Sequence, residues 1–190
     1  MYKRVTVEDT VRIPPEHLGD DLQSSVEDGL RSTLAGRIEP DVGVFVAVEE
    51  VNTVEGGEIR PEDAGVHYDV EFQAIVFEPE LHEVVRGETV DLTSFGAFIR
   101  IGPFDGLCHV SQVMDEYVDF DEEATMLKAE ESGHSLATGD TVTTRIIAVS
   151  LDKQDTNKIN LTMRQPGLGK QTWVEEAEEE RREEEGEVEA

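Results

Sequence analysis

Gly87-Glu88-Thr89-Val90, Phe95-Gly96-Ala97-Phe98-Ile99-Arg100-Ile101 and Asp105-Gly106-Leu107-Cys108-His109-Val110-Ser111-Gln112 are the three stretches on which the reading of this 190-residue chain turns. In the middle one, Gly96 lets the backbone bend or bulge so that Phe95 and Phe98 both face outward, while Ala97, Ile99 and Ile101 fill an interior. Arg100 and His109 then fall on or near the same surface as the two rings. Either ring taken alone fits ordinary core, and His109 an ordinary surface histidine. Together the four make a face on which unpaired bases stack whatever their sequence, at about 1–3 kcal/mol per base.

From Glu83 onward the chain reads as short strands separated by glycines: Val84 to Leu92, Phe95 to Ile101, Leu107 to Val110, Thr141 to Val149 and Lys158 to Met163. Five strands at this spacing are the count of a small closed barrel of the OB type. A mostly acidic insertion, residues 114–138, interrupts them. After Pro166-Gly167 a helix containing Trp173 is expected from Gly169 to about Arg182. The charge run Glu183 to Ala190 reads as a solvated, fraying tail.

Toward the N-terminus, Tyr2 to Val7 alternates as a strand and is followed by Val11-Arg12-Ile13, which Pro14-Pro15 must end. A short helical turn fits Pro15 to Leu18. Leu22, Val26, Leu30 and Leu34 recur at i+4, giving an amphipathic helix with Asp20 as N-cap and Gly36 as C-cap. Gly43 to Val51 is a buried strand. Val54 to Gly65, with Gly56-Gly57 and Pro61, reads as an exposed turn or tip. Val66, Tyr68, Val70, Phe72 and Ala74 then alternate with polar residues in the clearest period-2 strand of the chain. The expected fold class is therefore α+β: a small α+β tip domain over residues 1–80, a five-stranded OB-fold β-barrel over 81–168 carrying the insertion, and a C-terminal helix with an acidic tail over 169–190.

The three opening stretches, with the closing Lys158-Ile159-Asn160-Leu161-Thr162-Met163, resemble the S-one-type OB-fold RNA-binding domain. Phe-Gly-Ala-Phe followed at a fixed distance by Gly-Leu-x-His-x-Ser is far more specific than a glycine pattern alone. Three further features resemble the archaeal RNA polymerase E-prime family of stalk subunits: Met1-Tyr2-Lys3 through Val11-Arg12-Ile13-Pro14-Pro15; Val113-Met114-Asp115-Glu116-Tyr117-Val118; and Leu161-Thr162-Met163-Arg164-Gln165-Pro166-Gly167-Leu168-Gly169-Lys170. The match runs from residue 1 to about 176 and departs from the family in its lost basic residues and acidic tail.

That resemblance implies a non-catalytic component of a DNA-directed RNA polymerase whose RNA-facing positions are Phe95, Phe98, Arg100, His109, Asp152 and Lys158. It implies pairing with the small helical F subunit of the RNA polymerase, docking on the large core subunits, contact with transcription factor E, and binding of nascent single-stranded RNA during initiation and promoter opening. Val54, Gly56, Gly57, Glu58, Ile59, Arg60 and Pro61 are the residues expected to insert into the polymerase core. The alternative of the same barrel is an RNA-binding module of a translation or RNA-decay complex. A translation factor usually places the barrel first, whereas here it follows the α+β unit.

Composition limits the remaining classes. Sixteen Lys plus Arg stand against 44 Asp plus Glu, a formal net charge of -28, and only five of the cations are Lys. Nucleic-acid binders are usually basic; acids spread along the whole chain instead suggest a halophilic source, where high net charge maintains solubility. At molar salt the Debye length is about 3 Å, so the negative field hardly repels RNA, and counterion release adds little affinity. No apolar run is long enough for a membrane span, and a cytoplasmic location is expected. Cys108 is the single cysteine. His17, His67, His82, His109 and His134 show no paired ligand spacing, so neither a metal nor another cofactor is expected. Gly167-Leu168-Gly169-Lys170-Gln171-Thr172 fails as a phosphate loop, because Gln171 stands where Ser or Thr must follow the lysine. No nucleophile with a base is apparent, which leaves the enzyme class without residues to carry it.

Overall fold

The computed structural model describes residues 1–152 and 158–188. They group into two compact units, Met1–Glu78 with Leu151 and Asp152, and Pro79–Ser150 with residues 158–188.

The first unit contains β1 (Tyr2–Ile13), a 3-10 turn (Pro15–His17), α1 (Leu22–Leu34), β2 (Ile38–Glu39), β3 (Gly43–Ile59) and β4 (Val66–Phe77). Its sheet is antiparallel in the order β1-β4-β3-β2. Val26, Leu30 and Leu34 of α1 are buried in one cluster with Val11, Ile13, Phe45, Val70 and Phe72, so the helical stripe and the alternating strand faces close on each other. The N-cap is Asp21 rather than Asp20: its carboxylate accepts from the Ser24 N–H at 3.1 Å, a contact of about 1 kcal/mol. Asp20 is instead engaged by His17 at 3.2 Å. The C-cap is Ala35, with Gly36 following at φ 76°.

Two further expectations for this unit differ from what is found. Tyr2 to Ile13 is a single strand, because β4 pairs along its whole length from Tyr2–Phe77 to Ile13–Val66. The first half of the expected tip over Val54 to Gly65 is strand: Val54 to Ile59 lie in β3, and all of them but Gly57 pair with β4, as far as Ile59–Val66. The register shifts between Gly56 and Glu58, so the glycine pair marks a bulge and not a turn. Only Arg60, Pro61 and the residues to Gly65 connect the strands. Asp63 fastens that connection: its carboxylate accepts from the Arg12 guanidinium at 2.6–3.0 Å and from the Gly65 N–H at 2.9 Å, and lies 3.0 Å from His67 Nε2.

The second unit contains β5 (Val84–Thr93), β6 (Gly96–Ile101), β7 (Phe104–His109), a 3-10 turn (Val110–Gln112), β8 (Val118–Asp121), β9 (Met126–Ala129), β10 (Ser135–Ala137), β11 (Thr141–Ser150), β12 (Lys158–Thr162), β13 (Gly169–Lys170) and α2 (Gln171–Val188). β12-β7-β6-β5-β11 run in sequence around a barrel that β11 and β12 close; β13 adds to β11. Within the barrel β7 and β12 pair in parallel, through Leu107–Asn160 and Cys108–Leu161, while the other neighbours are antiparallel. Ala97, Ile99, Ile101, Cys108, Val142, Ile146, Ile159 and Leu161 fill it.

The insertion is ordered as a three-stranded antiparallel sheet, β10-β9-β8, and Val118, Leu127, Ala129 and Leu136 join the barrel's core. α2 extends beyond Arg182 to Val188, so the expected fraying tail is helical that far; residues 189–190 lie outside the described residues. Glu, Ala and Arg are strong helix formers, and Glu178–Arg182 is an i,i+4 ion pair at 3.8 Å. Trp173 attaches α2 to the insertion by stacking on His134, ring centroids 5.5 Å apart at 18°.

Candidate nucleic-acid interface

Alternation along β6 separates its two faces. Ala97, Ile99 and Ile101 point into the barrel at 0–2% exposure, leaving Phe98 and Arg100 outside. Registers place Phe98 between Asp91 of β5 and Leu107 of β7, and Arg100 between Glu88 and Asp105. His109 stands opposite Gly96, and Asn160 of β12 opposite Leu107. Phe95 lies in the two-residue turn joining β5 to β6 and is 48% exposed; Phe98 is half-buried. The two rings meet edge to face, centroids 6.0 Å apart at 90°.

Both rings are thus at the surface, but the role of Gly96 differs from the expected bulge. The barrel's β5–β6 irregularity lies in β5, between Thr89 and Asp91. Gly96 is needed for close approach: a Cβ there would overlap the Cys108 carbonyl and lie 2.9 Å from His109 Cα. That approach brings the turn carrying Phe95 against the end of β7, where the Val110 N–H donates to the Phe95 carbonyl at 2.9 Å.

His109 is exposed and caps the following 3-10 turn, its Nδ1 accepting from the Ser111 N–H at 3.3 Å and lying 2.9 Å from Ser111 Oγ. With Nδ1 an acceptor, the neutral ring carries its proton on Nε2 and offers a donor outward. Arg100 makes a forked pair with Asp105, Nε at 2.9 Å and Nη2 at 3.1 Å, and that carboxylate raises the guanidinium pKa above its ordinary value. Lys158 is exposed at the start of β12. Asp91, Glu88 and Asp105 are also exposed, so the face offers rings and hydrogen bonds with few net cations.

Phe95, Phe98, Arg100, His109 and Lys158 therefore all lie exposed or half-buried on the barrel unit. Asp152 is also exposed and groups with the first compact unit. Leu107 and Asn160 are outward-facing positions that sequence reading passed over; counting in twos from His109 and from Lys158 reaches both. Cys108, one step from His109, faces inward, and burial pushes its thiol up to about 12. The expected core-docking residues Gly56, Gly57, Glu58, Ile59, Arg60 and Pro61 are exposed, Ile59 at 70%, and Val54 is half-buried against its unit's core.

Comparison with known proteins adds to this geometry. Residues 8–64 match the family described as the SHS2 domain found in the N terminus of Rpb7p/Rpc25p/MJ0397, and residues 78–164 match the S1 RNA binding domain. The chain is 35% identical over 174 residues to the DNA-directed RNA polymerase subunit Rpo7 of Sulfolobus acidocaldarius, covering 92% of this chain and 95% of that one. Rpo7 of Saccharolobus solfataricus is 36% identical over 175 residues, with 92% and 97% covered. The DNA-directed RNA polymerase III subunit RPC8 of Bos taurus is 28% identical over 140 residues, with 72% and 69% covered.

Proposed function

The chain belongs to the family of DNA-directed RNA polymerase Rpo7 subunits, and from that premise we propose that it serves as the polymerase's non-catalytic stalk component, holding nascent single-stranded RNA on the outer face of its barrel. The observation that carries the RNA reading is the edge-to-face pair of Phe95 and Phe98 at the surface, flanked by the outward donor of His109. Rings so placed stack bases without regard to sequence, as a protein that meets every transcript requires.

In this reading residues 1–80 dock on the large core subunits, 81–168 hold RNA, and 169–190 extend the barrel unit. The end of the β3–β4 hairpin, with exposed Ile59 and the Arg60–Pro61 connection fastened by Asp63, is the part that inserts into the core. The small F subunit is its partner in the stalk, and transcription factor E a further contact during promoter opening. Asp152 is a further RNA-facing residue in this reading. The acid excess and scarcity of Lys support work in the salt-rich cytoplasm of a halophilic archaeon.

The test is co-purification from the native host with a tagged chain. Recovery of the polymerase large subunits supports the proposal. Recovery of ribosomal subunits or an exonuclease ring without polymerase overturns it in favour of the translation or RNA-decay alternative.

A further inference from the structure

Beyond His109 the surface does not end. Ser111, whose hydroxyl lies 2.9 Å from His109 Nδ1, lines a cavity of about 230 Å³ together with Met114, Asp115, Glu116, Tyr117, Val118 and Arg164. Tyr117 is 66% exposed, more so than Phe95, although Met114 and Val118 on either side are each 7% exposed. An aromatic side chain projecting between two buried anchors is costly to leave in water unless something covers it.

The backbone beneath this ring is fastened at several points. The Tyr117 carbonyl accepts from the Glu130 N–H at 3.1 Å. The Glu116 carboxylate accepts from the N–H groups of Glu131 and Ser132 at 2.9 and 3.0 Å and from Ser132 Oγ at 2.5 Å. Burial raises the Glu116 pKa, but these bonds outweigh it and hold the carboxyl below its ordinary value. The preceding 3-10 turn is tied to the barrel's closing strand, where Met163 N–H donates to the Gln112 carbonyl at 2.8 Å and Thr162 Oγ1 to Gln112 Oε1 at 2.9 Å. On the far side of the cavity Arg164 is oriented by Asp115 at 2.6 Å. A ring held on so rigid a support loses little freedom when a flat partner covers it.

We propose that Tyr117 is a second base-stacking subsite for single-stranded RNA, continuous with the Phe95–Phe98–His109 face through Ser111, with Arg164 meeting the phosphate of the stacked nucleotide. This rests on the reading that the barrel's outer face holds RNA. Continuity with the His109 face through Ser111 and an exposed ring favour RNA over a protein segment as occupant; Arg164 beside the ring is shared with Asp115, with which the phosphate must compete.

Fluorescence anisotropy of the full chain with labelled oligouridylates of about four and about twelve nucleotides tests the proposal, since these lengths bracket the site of one barrel. Tyr117→Ala is expected to weaken binding of the longer strand about tenfold, the effect of losing one stacked base, and to leave the shorter strand unaffected. Tyr117→Phe is expected to bind like the parent chain, and Arg164→Ala to weaken the longer strand only. If Tyr117→Ala leaves the longer strand unchanged while Phe95→Ala/Phe98→Ala weakens both lengths, the second subsite is overturned and the first face stands. If neither variant alters either length, both fall. Equal loss on both lengths with Tyr117→Ala, or loss of another polymerase chain during purification of the complex with RNA binding intact, also overturns the subsite. The first would mark a structural role and the second a protein contact.

Discussion

Phe95 presents its ring edge-on to Phe98 at a centroid separation of 6.0 Å, one ring supplied by a turn and the other by a strand. Such a pair contributes about 0.5–1.5 kcal/mol beyond burial. Removing Phe95 therefore also changes the support of Phe98. Phe95→Ala and Phe98→Ala are each expected to weaken single-stranded RNA binding by about 1–3 kcal/mol, and the double variant by less than the sum. Titration at several salt concentrations checks this; unchanged affinity in both single variants refutes stacking on this face.

Arg100 does not face RNA alone, because Asp105 holds its fork. Asp105→Asn removes the competing carboxylate and one negative charge from the face. RNA affinity is expected to rise severalfold at low salt and to return to the parent value near molar salt, where the Debye length is about 3 Å. An affinity that stays the same at low salt would show that Arg100 takes no part.

Gly96 admits no side chain, since a Cβ would overlap the Cys108 carbonyl. Gly96→Ala is expected to destabilise the barrel by at least about 2 kcal/mol, as overpacking does at a site where backbone must move. Urea denaturation followed at far-UV wavelengths measures it.

The Asp63 carboxyl is held well below the usual carboxylate range by hydrogen bonds from Arg12, then from the Gly65 N–H and His67. Its folded pKa lies below its unfolded one. The stabilisation is therefore complete above about pH 4, where the unfolded carboxyl is ionised, and is lost as pH falls toward the native value. Asp63→Asn is expected to lower the melting temperature of the N-terminal unit at neutral pH, with the difference from the parent shrinking below about pH 4. Calorimetry across that range decides it.

Cys108, buried and with its thiol pushed up to about 12, carries almost no thiolate at pH 8. Ellman's reagent is expected to react with it only after denaturation. Fast labelling of the native protein would place the side chain outside the barrel.

Features that repeat along the chain are legible from sequence. The Leu22–Leu34 stripe specifies α1, although Leu22 itself is 42% exposed, and the alternation of Ala97, Ile99 and Ile101 with Phe98 and Arg100 specifies the two faces of β6. What depends on partners distant in sequence is not. Gly56-Gly57 reads locally as a turn and becomes a bulge only because β4 runs alongside. β8, β9 and β10, at three to four residues each among acids, are too short for a period to show. The pairing of Arg100 with Asp105 follows from the β6–β7 register, which no local pattern specifies. Tyr117 belongs to a motif visible in the sequence, but its exposure comes from the burial of Met114 and Val118 beside it.

The parallel contact of β7 with β12 has a consequence for biosynthesis. All strands of the N-terminal sheet lie within Tyr2–Phe77, so a ribosome can release that unit ready to fold. The barrel must wait: until Lys158–Thr162 emerge, β7 keeps an open edge and one side of the hydrophobic interior is uncovered. A nascent chain halted anywhere between His109 and Lys158 would thus display a sticky, half-built cylinder beside a finished neighbour, which is the window in which a chaperone has something to hold.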